Sequence, residues 1–456
     1  MPFPRIATRA VACLFFASFV TLATAQQSIM PDMPGMNMSA PGTKHADPLS
    51  GTIWQHTDSG TSTEPASTPA PMWMGQHHGW MTMLHGNAFV ADTQQQADNS
   101  RGGDKLFSTN WIMPMAMHPL GGNGQITLRA MFSLEPATVT GRFYPELFQQ
   151  GETAFGRPIV DGQHPHDFFM EITALYDLRL GQHALLSLYA APVGDPALGP
   201  TAYPHRLSAS EDPIAALGHH QQDSSHIAMN VVTAGLTYKW ARIEGSGFHG
   251  EEPTEARWQP EPSANGHAVD SYSARLTISP TRNWSGQYSV AHITAPEQLH
   301  PTEDQQRQTA SVMYNRPLGA HHDTTSMPGM DMATHATGDW SNTLLWGHTR
   351  SLADNTIADS YLAESLLKFH TRNYAWVRIE SAARTSELVN PTGPELPVGH
   401  VQAYTLGYDR DYKVAPHLLA APGAQFTVYR APDALVSTYG RTPLGAVAFV
   451  RFRIVQ

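Results

Sequence analysis

From about residue 77 onward the chain alternates apolar and polar residues over short runs, and this period of two restricts the fold more than any other feature. Ile126, Leu128, Ala130, Phe132 and Leu134 share one face, while Gln125, Thr127, Arg129 and Ser133 share the other. Tyr272, Ala274, Leu276 and Ile278 likewise oppose Ser271, Ser273, Arg275 and Thr277. Near the C-terminus Ala446, Ala448, Val450, Phe452 and Ile454 oppose Arg451 and Arg453. Successive side chains of a strand point to opposite faces, so each run reads as a strand with one dry and one wet side. No helical period of any length competes, and beyond the N-terminal region no run of about 20 apolar residues offers a membrane helix. Segments of about ten alternating residues joined by turns are the signature of a transmembrane β-barrel.

Turn signals space these segments as hairpins. Tyr176 to Ala190 turns at Gly181-Gln182-His183, residues 271–294 turn at Pro280-Thr281-Arg282-Asn283, and residues 361–383 turn at Thr371-Arg372-Asn373. Longer polar connections are expected near 92–104, 135–165, 192–225, 251–269, 317–338 and 385–399. Short turns at one end and long loops at the other are the asymmetry of such barrels, which close with an even strand number. The expected fold is all-β: a closed antiparallel transmembrane barrel of about 14–16 strands over residues 76–456. The other reading is a large soluble all-β protein. Against it stand an export signal, the lack of cysteine in the exported chain, and aromatic residues at expected strand ends (Trp111, Tyr144, Trp240, Trp258, Trp284, Trp340, Trp376) that suit interfacial girdles.

Residues 1–25 read as a signal peptide. Arg5 and Arg9 precede the apolar run Val11 to Leu22, and Ala23-Thr24-Ala25 supplies the cleavage site. Cys13, the single cysteine, leaves with it, so neither a disulfide framework nor a thiolate site is expected. Residues 26–75 are rich in Pro, Ser, Thr, Gly, Met and His and read as a disordered leader. The net charge is −11, from 39 acidic and 28 basic residues, with no basic stripe, which excludes nucleic acid as a partner. The 24 histidines are unusual and suit cation capture.

A methionine-rich phrase occurs twice: Met30, Met33, Met36 and Met38 in the leader, and Met327, Met330 and Met332 in the expected connection 317–338. Methionines set among Pro, Gly, Asp and Asn are not core residues, and thioethers are soft ligands that select Cu(I). A low-complexity tail would also carry such residues, but the recurrence speaks against accident. A leader lies on the periplasmic side and a long loop outside, so the two copies are not expected to form one site. A second candidate set, Met72, Met74, His77, His78, Met81, Met83 and His85, runs into the first strand. Met113, Met115 and Met117 with His118 form an alternating ladder, for which packing is an equally good explanation.

A third set is polar. Asp161, His164, His166 and Asp167 lie within seven residues, and His219, His220, Asp223 and His226 follow, with His205 between. These blocks flank one hairpin and are expected to converge at one rim, with Glu211, Glu244, His249 and Glu251 as further members. His and carboxylate donors suit Cu(II), with Zn(II) as a further candidate; a structural hydrogen-bonded network is the other explanation. Catalytic triplets such as His166 with Asp167, or His226 with Ser225 and Asp223, arise easily in so His- and Ser-rich a chain. No nucleophile elbow, phosphate loop or zincin motif occurs, and no enzyme activity is expected.

The exported Met-Pro-Gly-Met and Met-Asn-Met leader followed by a barrel resembles the copper-resistance B proteins of Gram-negative bacteria. That resemblance implies copper binding at Met30, Met33, Met36 and Met38 and, by motif similarity, at Met327, Met330 and Met332. The blocks 161–167 and 219–226 match no motif of that group. The expectation is an outer-membrane protein that sequesters or passes copper ions through capture. Its leader would be periplasmic, its surroundings outer-membrane lipid, its candidate partners periplasmic copper proteins, and its state a monomer or small homo-oligomer. The alternative is a general porin-like channel, or a structural surface barrel, with incidental Met tracts.

Overall fold

A computed structural model describes residues 47–223, 228–250, 254–260, 269–297, 300–319 and 336–456. Sixteen antiparallel staves close into one barrel. They are β1 (Trp80–Gln96), β2 (in two pieces, Gly102–Phe107 and Asn110–Leu120), β3 (Gly124–Phe132), β4 (Phe169–Arg179), β5 (Ala184–Gly194), β6 (Ala228–Tyr238), β7 (Ala241–His249) and β8 (Ser271–Thr281). They continue as β9 (Trp284–Ile293), β10 (Gln305–Leu318), β11 (Gly338–Ser351), β12 (Ile357–Phe369), β13 (Asn373–Thr385), β14 (Pro397–Arg410), β15 (Leu418–Arg430) and β16 (Leu444–Ile454). Closure comes from β16 pairing with β1, from Asn87↔Arg453 to Gln96↔Leu444. The two pieces of β2 pair with successive halves of β1, so together they make one stave.

The period of two fixes which face meets lipid. Val90, Leu128, Leu188, Val232, Ile243, Leu276, Val312, Leu344 and Leu406 are exposed on the outside. Their neighbours Thr127, Arg129, Ser187, Thr233, Arg242, Arg275, Thr343 and Thr405 are buried on the inside. An apolar exterior band over a largely polar interior is what spanning with strands requires, because every backbone group is satisfied within the closed sheet. The aromatic expectation holds in part. Trp240, Trp284 and Trp340 are exposed at the short-turn end, and Trp258 is exposed in a loop. Tyr144 and Trp376, by contrast, are buried within. Trp376 points inward because it shares the face of Arg378, and it lies over Gly407, where a Cβ would approach its ring to 2.1 Å.

Short turns at 121–123, 180–183, 239–240, 282–283 and 370–372 define one end of the barrel. Long connections at 133–168, 195–227, 250–270, 294–304, 386–396 and 431–443 define the other. Two loop expectations are corrected. The connection near 92–104 shrinks to 97–101, because the strands continue to Gln96 and resume at Gly102. The connection after Leu318 returns in Gly338 at the short-turn end, despite its length, because β10 and β11 are paired there through Leu318↔Gly338. Met327, Met330 and Met332 belong to this connection and lie outside the described residues, as do Met30, Met33, Met36 and Met38.

The lumen is filled by the chain itself. The leader expected to run without structure to residue 75 is ordered from Asp47 onward and enters from the short-turn end. Pro48 opens the helix Pro48–Gln55, Leu49 and Ile53 pack one turn apart with Leu185 of β5, and His56 ends it at φ 48°. Arg129 of β3 then donates to the carbonyls of His56 (2.9 Å), Asp58 (2.5 Å) and Gly60 (2.6 Å). Arg275 holds Thr61, Ser285 holds the Thr63 carbonyl, and Asn315 holds that of Ser67. The polar composition that reads as disorder is therefore satisfied by a polar lumen.

Two long connections fold inward from the other end. In 195–223, Arg206 bridges Asp223 (2.7 Å) and Glu364 of β12 (2.9 Å), and Glu211 meets Arg451 (2.5 Å) and Arg453 (2.6 Å) of β16. Asp212 meets Arg378 of β13 at 3.0 Å. In 133–168, Leu147 and Phe148 pack with Leu217, Tyr429, Leu435 and Tyr439, and Arg384 donates to the Phe148 carbonyl.

Candidate functional site

One patch of the inner wall is not polar. Met83, Met113, Met115, Met117, Met131 and Met170 of β1 to β4, with Met72, form a single buried cluster, and Met81 and Trp111 pack on it. Among the described methionines only Met74, Met229 and Met313 lie elsewhere. Register makes it a ladder: Met81↔Met117, Met83↔Met115 and His85↔Met113 are consecutive opposed pairs across β1 and β2. Directly opposed residues on one face of an antiparallel pair have Cβ atoms about 4.5–5.5 Å apart, so these side chains meet. Met131 joins on β3, whose register with β2 runs through Ile112↔Phe132 and Met115↔Arg129. The sequence pattern carries Met81/Met83 and Met113/Met115/Met117. Proximity in sequence groups Met72 with Met81 and Met83, but nothing signals that Met131 and Met170 join them, because these are single residues on separate segments.

The upper end of the ladder gains two imidazoles. His205, from the inward connection 195–223, places Nε2 2.7 Å from the Met131 sulfur. Its ring lies 6.0 Å from that of His85 and 4.0 Å from that of Trp111. Both His85 Nδ1 and His205 Nδ1 are buried with no hydrogen-bond partner among the described residues. Burial, reinforced by His85 and more distantly Arg129 and His166, pushes the His205 imidazole well below its ordinary range, so it is neutral and its ring can donate a lone pair. A cavity of about 70 Å³ adjoins these rings and is also lined by Asp58 and Glu64 of the ordered leader, which forms a plug inside the barrel. Buried polar nitrogens are normally satisfied, so two ring nitrogens without a hydrogen-bond partner among the described residues, beside sulfur donors and a small cavity, could hold a ligand.

A second cluster forms where the two inward connections meet. Glu152, His164 and His220 each offer a ligand atom, all within 4.8 Å of one another. His220 Nε2 lies 2.7 Å and His164 Nε2 3.5 Å from Glu152 Oε1. Glu152 is fully buried; its Oε2 accepts the His164 backbone N–H at 2.7 Å, and the Gln163 side-chain amide donates to Oε1, the oxygen that faces the two imidazoles. Burial, with Arg257, His220 and His166 nearby, pushes His164 well below its usual range and keeps it neutral. Above lies a cavity of about 530 Å³ at the long-loop mouth, lined by His220, Glu297, His300, Glu303, Glu387 and Glu395, with Arg307 and Arg384 also on its wall. Burial, with Glu395 and Glu297 alongside, pushes Glu387 up to about 8.

The blocks 161–167 and 219–223 do converge at the long-loop end, but only part of each reaches this cluster. His164 and His220 do, and His219 lies at the edge, 3.9 Å from Glu152 and 2.9 Å from the Gln163 side chain. His166 instead pairs with Glu135 at 3.0 Å. Burial alone would lower His166, but Glu135, with Asp167 and Glu152, outweighs it and holds the imidazole above its usual value. The three aspartates are committed to arginines: Asp161 to Arg101 (2.9 Å), Asp167 to Arg257 (2.9 Å) and Asp223 to Arg206 (2.7 Å). Glu211 and Glu244 are likewise bound to arginines and His249 to Asp270, so none joins the cluster, while Glu251 and His226 lie outside the described residues. His77 and His78 are exposed on the hairpin leading into β1, their rings 4.1 Å apart, and His118 faces outward. Glu152 was missed as a candidate; a lone glutamate in a Gly-rich stretch carries no signal until its hairpin folds onto His164.

No family model matches the sequence, and no curated protein matches it. Solved structures do match the chain path. The anion-selective porin from Comamonas acidovorans is 11% identical, covering 82% of this chain and 100% of that one at a TM-score of 0.47. Salmonella typhi OmpF, in a complex with daunomycin, is 8% identical, covering 84% and 100% at 0.49. OmpT, an outer membrane protein of Vibrio cholerae, is 7% identical, covering 83% and 99% at 0.45. This chain is itself a closed antiparallel barrel of sixteen strands, with part of its own N-terminal segment and two of its loops packed inside.

Proposed function

We propose that this barrel resides in the outer membrane of a Gram-negative bacterium, short-turn end towards the periplasm, and captures soft metal cations, Cu(I) foremost, on its inner wall. The observation that carries the reading is the juxtaposition of His85, Met113, Met131 and His205: two imidazoles that line a small cavity, backed by two thioethers of the methionine cluster. Thioethers prefer soft ions, and imidazole suits copper in either oxidation state. The remaining methionines extend the same donor type down to Met81 and Met117 at the short-turn end. The doubled Met phrase has the same ligand preference, and the described residues that flank it, Asp47, Leu318 and Gly338, lie at that end of the barrel, so we propose that it delivers or receives the ion there. Metal is cargo here, so capture and handover are the chemistry.

The rival is a general diffusion channel, which needs an open water-filled path. The plug and the two inward connections, fastened by buried ion pairs, take up part of that space. The test uses Ag(I), a redox-stable stand-in for Cu(I), on folded full-length protein whose leader and loop methionines (30, 33, 36, 38, 327, 330 and 332) are changed to Leu. Retention of Ag(I) that is lost on adding M113L, M131L and H205A supports the reading. Equal retention with those three changes, together with steady porin-sized conductance in planar bilayers, would favour the general channel.

A further inference from the structure

The cluster at the meeting point of the inward connections has a different donor chemistry. We propose that Glu152, His164 and His220 form a binding site for a divalent first-row cation, entered from the acidic cavity at the long-loop mouth. The site is built from parts far apart in sequence: Glu152 on the short strand Glu152–Ala154, His164 just after the strand Gly162–Gln163, and His220 on the turn of helix His219–Gln222. Their ligand atoms lie within 4.8 Å of one another without any ion present. A tetrahedral Zn(II) with bonds of about 2.0–2.2 Å needs ligand atoms roughly 3.5 Å apart. His164 already stands at 3.5 Å from Glu152, the 2.7 Å contact of His220 with Glu152 would open slightly, and no pair has to close from more than 4.8 Å.

The supporting shell is in place. Gln163 donates to Glu152 and accepts from Gln149 (2.6 Å), and its oxygen lies 2.9 Å from His219 Nε2. Such outer partners orient ligands in metal sites. Two imidazoles and one carboxylate leave a fourth position open, as in sites that exchange a water or pass an ion on. The donors are nitrogen and oxygen, so the site favours borderline divalent ions over Cu(I). His220 lies both in this trio and in the wall of the 530 Å³ cavity, whose Glu297, Glu303 and Glu395 concentrate cations at its approach. The site is independent of the methionine wall: it shares no residue with it and asks for a different ion.

The test is titration of the folded full-length protein with Co(II), read by the visible absorption of a tetrahedral complex, and with Zn(II) in competition. Wild type is expected to give one saturable Co(II) spectrum that Zn(II) abolishes. Removing even an outer-shell partner weakens metal sites about 10–100-fold, so H164A and H220A should each cost at least that. M113L/M131L should leave the Co(II) spectrum unchanged, and H220A should leave Ag(I) binding unchanged. His220 is partly exposed, so H220A tests the site with little risk to folding, which the heat-dependent gel shift of barrels reports. No spectrum in wild type, or an undiminished one in folded H164A/H220A, would overturn the proposal whatever Ag(I) does.

Discussion

Arg129 is the main fastening between barrel and plug, and Arg129→Met should release the plug without opening the barrel. Its guanidinium is fully buried, forms a two-point ion pair with Glu171 (2.7 and 2.8 Å) and reaches the carbonyls of His56, Asp58 and Gly60. Removing one partner of a buried pair costs about 3–5 kcal/mol, because the other charge stays buried. Tyr189, which donates to Glu171 at 2.8 Å, offsets part of that. The three carbonyls each lose a charge-assisted hydrogen bond worth about 1.5–3 kcal/mol while docked, and regain water once the plug leaves. The docked plug should therefore lose at least about 3 kcal/mol relative to the undocked one, roughly a hundredfold in the opening equilibrium. Hydrogen exchange reads this directly. The Glu64 amide, held by Asp58 at 2.9 Å, should exchange about a hundredfold faster, while amides of β9 to β12 keep their rates. Unchanged exchange over 56–64 would refute the claim that Arg129 holds the plug. Faster exchange throughout the barrel would show that it holds the fold instead.

Gly60 has φ 57°, and a Cβ there would come 2.5 Å from that of Asp195, so Gly60→Val should loosen the same segment and expose it to protease from the short-turn end. Plug docking should also weaken as pH rises. Burial, with Glu171 nearby, pushes Asp195 up to about 7, and burial pushes Asp58 up to about 6 against the pull of the Glu64 amide and Arg129. These acids keep their protons when docked and lose them near 3.9 when free, so stability is full below about pH 4 and declines towards pH 7. Exchange over 56–64 that is slower at pH 7.5 than at pH 5, after correction for intrinsic rates, would contradict this. Met113→Leu and Met131→Leu nearly conserve volume and should cost less than about 1.5 kcal/mol each, so thermal melting should shift little even where metal binding is lost.

The barrel was legible because lipid and lumen impose opposite demands on alternate residues, and sequences such as 126–134 and 271–278 record that directly. Hairpins at 180–183, 282–283 and 370–372 were legible for the same reason. The plug was not. Its Pro-, Ser- and Thr-rich sequence reads as disorder because its partners, Arg129, Arg275 and Asn315, lie far along the chain on the lumen face. Loop length misplaced 317–338, since the added Met-bearing segment lengthens a connection at the short-turn end. Five of the eight methionines of the wall were visible as alternation, but His205 and Glu152 reach their clusters only through the inward folding of two long connections. Among the polar candidates, the aspartates looked like ligands beside histidines and proved to be arginine partners, a distinction that residue spacing does not encode.

The central claim is that the inner wall itself holds a soft ion through mixed sulfur and nitrogen donors. Copper K-edge X-ray absorption on Cu(I)-loaded, folded protein tests it most directly, with the methionines at 30, 33, 36, 38, 327, 330 and 332 changed to Leu. The account predicts bound copper with both thioether sulfur and imidazole nitrogen in its first coordination shell, from Met113, Met131, His85 and His205. Copper coordinated by nitrogen and oxygen alone, or no copper retained once those seven methionines are gone, would contradict it.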